Sequence, residues 1–117
     1  SGLEGKKLLV KNGADVNAKD ADGFTAFMRV AWDDTERMDH LKLLLPKVKD
    51  INDQAERGET ALYWAAKGGN LDATRFLIEH GADANLRTKA GETALGVAVK
   101  EQHAKVVTFL KVHGAIE

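Results

Sequence analysis

The pentapeptide Gly58-Glu59-Thr60-Ala61-Leu62 returns 33 residues later as Gly91-Glu92-Thr93-Ala94-Leu95. A looser copy, Gly23-Phe24-Thr25-Ala26-Phe27, stands 35 residues before the first. Copies at a nearly fixed spacing are the sequence signature of a repeat protein, in which each unit buries its apolar face against its neighbours. The sequence therefore predicts a stack of similar units with a period of 33 residues.

Two further markers keep the same period. Glycine and alanine follow an apolar segment at Gly13-Ala14-Asp15, Gly81-Ala82-Asp83 and Gly114-Ala115, and the glycine expected near Val48 is missing. An asparagine stands six residues before each Gly-x-Thr block, at Asn17, Asn52 and Asn85. Asparagine suits a turn, so we interpret these three residues as turn residues that lead into the next unit.

Within each unit the apolar spacing is helical. Offsets of three and four residues follow each Gly-x-Thr, which predicts a short first helix with one apolar stripe. These stripes are Phe27, Val30, Ala31; Leu62, Ala65, Ala66; and Leu95, Ala98, Val99. A second helix follows with its own apolar stripe, which is Leu41, Leu44 and Leu45 in one unit and Leu71, Leu77 and Ile78 in the next. Thr25, Thr60 and Thr93 are suited to cap the first helices, and a glycine suits the end of the second.

This unit of a turn and two helices, with its Gly-x-Thr-Ala-Leu and Gly-Ala-Asp-x-Asn blocks, resembles the ankyrin repeat. The resemblance implies an all-α solenoid whose units are joined by β-hairpin turns. The chain would form one domain: a half repeat at residues 1–19, then full repeats at 20–54, 55–87 and 88–117. The family's Thr-Pro-Leu-His motif has lost every Pro and every His here. The hydrogen-bond network that those histidines form in the family is therefore not expected.

The unit at residues 20–54 is two residues longer than the next, and the excess falls between Ala31 and Met38. Asp33 and Glu36 have the spacing of a capping box, which predicts an early start for the second helix. At the N-terminus, Leu3 to Val10 align with a second helix that lacks its first helix. Such an uncapped apolar face would be prone to associate with other protein surfaces.

The composition and the motifs argue against most catalytic, metal-binding and nucleic-acid-binding functions. The 17 basic and 18 acidic residues give a net charge of −1, which argues against a broad nucleic-acid-binding surface. There is no cysteine, and the only serine is Ser1. The segment Asp20-x-Asp22-Gly23 lacks the acidic residues of a calcium loop at Ala18 and Arg29. One histidine per unit does not make a metal site, so His40, His80, His103 and His113 are expected to be structural. We predict no enzymatic activity, no cofactor and no metal.

Carried over position by position, the resemblance implies that hairpin tips and first helices form a concave binding face. The candidate positions are Asp22, Phe24, Trp32, Asp33, Glu56, Arg57, Glu59, Lys67, Lys89, Glu92 and Lys100. Most of them are charged and would form a polar rim. Phe24 and Trp32, with Arg57 nearby, are candidate anchors, since aromatic residues and arginine dominate binding hot spots. The alternative is that Phe24 folds back on Met28 and Trp32 covers the extended turn.

Two neighbouring aromatic residues, Tyr63 and Trp64, are expected to pack between adjacent units. The family resemblance also implies that Asn17, Asn52 or Asn85 can be hydroxylated, but we favour their structural role as turn residues.

The expected function is that of a non-catalytic adaptor that binds a protein or peptide, with no nucleic acid and no membrane as partner. The alternatives are a regulatory segment that docks within a larger enzyme or channel, and an engineered scaffold. No stretch approaches the roughly 18 apolar residues of a membrane span, and no signal core is recognisable. A cytoplasmic monomer is therefore expected, with self-association through the uncapped N-terminal helix as a further expectation.

Overall fold

The computed structural model describes residues 16–33 and 35–116, with the side chain of Asp33 excepted. These residues form six α-helices and one short 3-10 helix, Leu45–Lys47, and no strand. The α-helices are α1 (Ala26–Asp33), α2 (Arg37–Leu44), α3 (Ala61–Lys67), α4 (Leu71–Glu79), α5 (Ala94–Lys100) and α6 (Ala104–Val112). The all-α prediction is confirmed for this part of the chain. Residues 1–15 of the predicted half repeat at 1–19, with Leu3 to Val10 and Gly13-Ala14-Asp15, lie outside the described residues.

The helices form two layers. The first helices pack side by side, α1 on α3 and α3 on α5, and the second helices do the same, α2 on α4 and α4 on α6. Each first helix also packs on the second helix that follows it. The sequence produces this arrangement because each short helix has a single apolar stripe, which it buries only between a partner in its own unit and a neighbour in the next.

The predicted threonine caps are present in all three units. The hydroxyl oxygen of each threonine accepts a hydrogen bond from the backbone N–H three residues later. The distances are 3.3 Å for Thr25, 3.1 Å for Thr60 and 3.0 Å for Thr93. Each cap fixes where its first helix begins, and it thereby fixes the position of the turn before that helix.

Most of the predicted stripes are buried. Phe27, Val30, Leu62, Ala65 and their counterparts lie in one continuous core. Val99 is the exception: it is 41% exposed because it points to the face of α5 that no described helix covers. Histidine was not predicted in the core, yet His40 is 1% exposed within α2.

Hydrogen-bonded turns precede each first helix, at residues 20–24, 55–59 and 88–92. Neighbouring turns touch directly: the Glu56 N–H donates to the Asp22 carbonyl at 3.2 Å, and the Lys89 N–H donates to the Arg57 carbonyl at 2.8 Å. Gly58 makes the second contact feasible. Its φ is +89°, and a Cβ there would lie 2.9 Å from the Thr88 Cα.

Asparagine side chains link successive units. The side-chain oxygens of Asn17, Asn52 and Asn85 accept hydrogen bonds from backbone N–H groups about one repeat later, at 2.9, 2.7 and 2.9 Å. The donors are Lys49, Asp83 and Ile116. These bonds connect the units in a chain that has lost the histidines of the family motif. They also give the three asparagines a structural role, although a longer-range one than the turn role that the sequence suggested.

The longer unit differs locally from its neighbours. The predicted capping box is wrong, because Asp33 is the last residue of α1 and α2 begins only at Arg37. Glu36 makes no side-chain capping bond. Instead, the Arg37 guanidinium donates to the Ala31 carbonyl at 3.1 Å and so caps the end of α1. After α2 the chain leaves through a 3-10 turn that contains Pro46, where the other units use glycine.

Candidate functional site

Four aromatic side chains meet where α1 and α3 lie side by side. Trp64 is at the centre, with ring centroids 4.7 Å from Trp32, 5.3 Å from Phe24 and 5.3 Å from Tyr63. We call Phe24, Trp32, Tyr63 and Trp64 the aromatic cluster. The contacts are tilted or edge-on, the geometry that aromatic pairs prefer. Tyr63 is buried, and the other three rings are half-buried and so reach the surface.

The cluster arises where the first unit departs from the other two. Phe24 occupies the position that Glu59 and Glu92 hold in the later units. Trp32 likewise occupies the position of Lys67 and Lys100. Because α1 packs on α3, both replacements bring aromatic surface to Trp64. Phe24 therefore packs on Trp64 of the next unit.

A cleft opens beside the cluster between the first and second turns. This first cleft is lined by Asp22, Phe24, Glu56, Arg57, Glu59 and Trp64. Its volume of about 310 Å³ lies at the lower end of the range for ligand pockets. Three carboxylates and one guanidinium give the lining residues a net negative charge. The cleft therefore combines aromatic walls with acidic groups.

One cation already lies at the edge of the first cleft. The Arg29 guanidinium carbon lies 4.3 Å from the centroid of the Phe24 ring. Its nitrogen donates to the Asp20 carboxylate at 2.6 Å. This bond, together with the backbone N–H of Phe24, holds the pKa of Asp20 below its usual value. Arg29 thus shows that the acidic and aromatic groups at this turn attract a guanidinium.

A second cleft continues from the first, past Arg57, Glu59 and Trp64. Its remaining lining residues are Tyr63, Lys67, Thr88, Lys89, Ala90 and Glu92. The Tyr63 hydroxyl donates to the Glu92 carboxylate at 2.9 Å. Burial, followed by this hydrogen bond, raises the pKa of Tyr63 above its usual value of 10.0. With three basic residues against two acidic ones, the second cleft has the opposite charge to the first.

The two equivalent glutamates have different surroundings. Glu92 has two partners, the Tyr63 hydroxyl at 2.9 Å and the Lys100 ammonium at 3.9 Å. Glu59 is 8% exposed, and its Oε1 has no hydrogen-bond partner among the described residues. The residue equivalent to Tyr63 in the preceding unit is Met28, which has no hydroxyl.

The lysine equivalent to Lys100 also fails to reach Glu59. Lys67 instead forms an ion pair with Glu101 at 3.4 Å. Glu59 has thus lost both of the interactions that satisfy its counterpart Glu92. The indole Nε1 of Trp64, in the same cleft wall, is likewise buried without a partner in the described part of the chain.

Most of the predicted site residues line these two clefts. The exceptions are Trp32, which reaches the clefts only through its contact with Trp64, and Lys100, whose exposed ammonium lies 3.9 Å from Glu92. Asp33 is also excepted, because its side chain lies outside the described residues. Glu59 was expected in an exposed polar rim, but it is buried in the cleft wall.

The sequence interpretation did not include Trp64 in the site. A signal was available in the sequence: five of the seven aromatic residues fall at first-helix or turn positions of two successive units, namely Phe24, Phe27, Trp32, Tyr63 and Trp64.

Three of the four histidines contact backbone carbonyls. His80 and His113 contact backbone carbonyls of their own helices at 2.8 and 2.9 Å, and His103 contacts the Lys67 carbonyl at 2.9 Å. Among the described residues, no three His, Cys, Asp or Glu side chains are placed to hold a metal ion. Nor does any helix in the described ranges have the length and apolar character needed to cross a membrane.

The sequence matches the family model for ankyrin repeats in three copies over residues 27–116. The match covers far more than half of the chain. It includes all six helices described above, apart from Ala26, the first residue of α1. Both the matched sequence and the two-layered helix stack lead to the same conclusion: this chain belongs to the ankyrin repeat family.

Proposed function

We propose that the chain is a non-catalytic binding module that holds a protein or peptide along the two clefts. Ankyrin repeats in general mediate protein–protein interaction and are typically non-catalytic. The observation that carries the proposal is the aromatic cluster at the mouth of the first cleft. Half-buried Phe24, Trp32 and Trp64 offer apolar surface in a groove, where aromatic side chains contribute most to binding.

The charges beside the cluster supply the specificity. Exposed Glu56, Arg57 and Lys89 surround the aromatic surface as a polar rim. Partners with the wrong charge pattern would leave these groups opposite like charges, which costs binding free energy. The proposed partner is therefore a segment whose charges complement an acidic first cleft and a more basic second cleft.

The regulatory alternative was based on an uncapped N-terminal helix in residues 1–15, which lie outside the described part of the chain. The adaptor interpretation is supported by described side chains, and it is the one proposed here. The same surface would be used in either case, with the partner supplied by another chain or by a further segment of a longer one.

The test uses substitutions that the chain itself tolerates. In a Phe24→Glu/Trp32→Lys variant, the first unit carries the residues that later units have at the same positions. A swap on the outer layer, Arg75→Thr/Thr108→Arg, exchanges two equivalent residues without changing the net charge and serves as control. Peptides selected from a displayed library on the wild-type protein are measured against both variants by fluorescence polarisation.

The proposal expects the groove variant to lose at least tenfold in affinity, since two anchors of about 1 kcal/mol or more are removed. The outer-layer swap should bind like the wild type. Circular dichroism and urea unfolding verify that both variants fold. Equal binding by a folded groove variant would show that the partner site lies elsewhere.

A further inference from the structure

The first cleft contains a buried acidic group without a partner. Glu59 is more than nine-tenths buried, and the structure gives its Oε1 no hydrogen bond within the described ranges. A buried carboxylate oxygen without a donor is unfavourable, and unsatisfied groups of this kind are few in native proteins. The feature therefore needs a physical explanation.

Comparison with the next unit supplies one. Glu92 occupies the same position, accepts a hydrogen bond from the Tyr63 hydroxyl at 2.9 Å, and has the Lys100 ammonium 3.9 Å away as an ion-pair partner. For Glu59, the residue equivalent to Tyr63 is Met28, which has no hydroxyl. The residue equivalent to Lys100 is Lys67, which forms its ion pair with Glu101. A hydrogen-bond donor with a positive charge is what the surroundings of Glu59 lack.

The neighbouring groups favour a cation as well. Asp22 and Glu56 add two carboxylates to the lining, against the Arg57 guanidinium and the Arg29 guanidinium, which lies 3.7 Å from the Asp22 carboxylate; with Glu59 the balance is still negative. Phe24 and Trp64 supply aromatic walls, whose faces attract cations. At the edge of the cleft this attraction is already realised by Arg29 over the Phe24 ring.

A second unpaired group points to a peptide as the carrier of the charge. The Trp64 Nε1 is a buried donor without an acceptor among the residues described. Together, the wall of the first cleft offers one free acceptor and one free donor. A peptide has both complements, a basic side chain and a backbone carbonyl.

We propose that the first cleft is the subsite for a lysine or arginine side chain of the bound partner. The Glu59 carboxylate accepts from the ammonium or guanidinium group, and the Phe24 and Trp64 rings that line the cleft cover the aliphatic part of that side chain. The subsite lies within the proposed binding groove, so this inference rests on the proposed function and narrows its partner to a basic peptide segment.

The first test uses small probes and does not require a known partner. N-acetyl-lysine methylamide and N-acetyl-norleucine methylamide differ in the ammonium group, and each is titrated into nitrogen-15-labelled protein. The protein has two tryptophans, so the Trp64 indole signal is assigned by its survival in Trp32→Lys. We expect the lysine probe to shift the Trp64 indole, and the norleucine probe to leave it unchanged.

Glu59→Gln then tests the carboxylate. It should weaken the lysine probe about tenfold, as expected for the loss of a charge-assisted hydrogen bond. Glu79→Gln removes the same charge from an exposed position on α4 and should not affect the titration. No shift with either probe, equal shifts with both, or an unchanged affinity in Glu59→Gln would each overturn the inference.

The peptide library separates this inference from the proposed function. Selected peptides that depend on Phe24 and Trp32 should share one lysine or arginine, and they should lose affinity in Glu59→Gln. Peptides that depend on the two aromatic residues but share no basic residue would overturn the subsite and leave the binding groove in place. Peptides that bind the groove variant as well as the wild type would overturn the proposed function itself.

Discussion

Replacing Gly58 by alanine should disrupt the contact between the second and third turns. The residue has a φ of +89°, which costs a non-glycine residue about 1–2 kcal/mol. In addition, the new Cβ would lie 2.9 Å from the Thr88 Cα and 3.0 Å from the Lys89 N. Carbon atoms prefer about 3.5–4.0 Å, so the third turn must move by roughly 0.5–1 Å. That movement stretches the 2.8 Å bond from the Lys89 N–H to the Arg57 carbonyl.

Gly91→Ala is the matched control. Gly91 occupies the same position in the next turn with a φ of +84°, but no described atom lies within 4 Å of its would-be Cβ. Alanine also restricts the unfolded chain, which stabilises the folded state by about 0.4–1 kcal/mol in both variants. Gly91→Ala should therefore cost about 1 kcal/mol of unfolding free energy, and Gly58→Ala about 1 kcal/mol more because a hydrogen bond is strained.

The free energies of unfolding are measured by urea titration with far-UV circular dichroism as readout. Hydrogen exchange at the Lys89 amide reports the strained bond directly, and it should accelerate in Gly58→Ala alone. Equal destabilisation by the two substitutions would refute the argument, because only the contact with Thr88 distinguishes the two sites.

Two further outcomes follow from contacts between units. Asn52→Ala removes the acceptor for the Asp83 N–H and should cost about 1 kcal/mol; if hydrogen exchange at the Asp83 amide did not accelerate, the bond would not be formed in solution. Tyr63 is the only tyrosine, so ultraviolet absorbance isolates its titration, which should lie above pH 10.0 and move towards that value in Glu92→Gln. Because the pKa of Tyr63 is higher in the folded state, its contribution to stability is complete below about pH 10 and is lost as pH rises through the folded-state pKa. Identical titrations with and without the carboxylate would contradict the role of that hydrogen bond.

The parts of the fold that depend on neighbouring residues could be predicted from the sequence. Thr60 caps the helix that follows it, and Gly58 closes the turn before it, because both act over three or four residues. The repeat period then predicted the same local structures in the other units. The apolar stripes were predicted for the same reason, apart from Val99, whose exposure depends on which helix covers it.

Interactions about one repeat apart could not be predicted in the same way. The bond from the Asp83 N–H to Asn52 spans 31 residues, and nothing local to Asn52 indicates its donor. The sequence also predicted Asp33 as an N-cap of the second helix. In the structure Asp33 is the last residue of α1, and α2 begins four residues later at Arg37. The first result depends on how two units stack and the second on where α1 ends within its unit, and the period alone specifies neither.

The candidate site is located by differences between the copies. Phe24 replaces a glutamate and Trp32 replaces a lysine, relative to the equivalent residues of the later units. Because Phe24 stands at this position in the preceding turn, Glu59 is the first glutamate at this position in the three described turns, and aromatic groups lie beside it where Glu92 has a hydroxyl and an ammonium. A solenoid folds because its units are alike, so residues that differ at equivalent positions are free to serve a partner. If the first cleft is the specific subsite, giving the preceding unit Met28→Tyr should supply Glu59 with the hydroxyl that Glu92 has. The variant should then bind basic peptides less tightly while unfolding at higher urea.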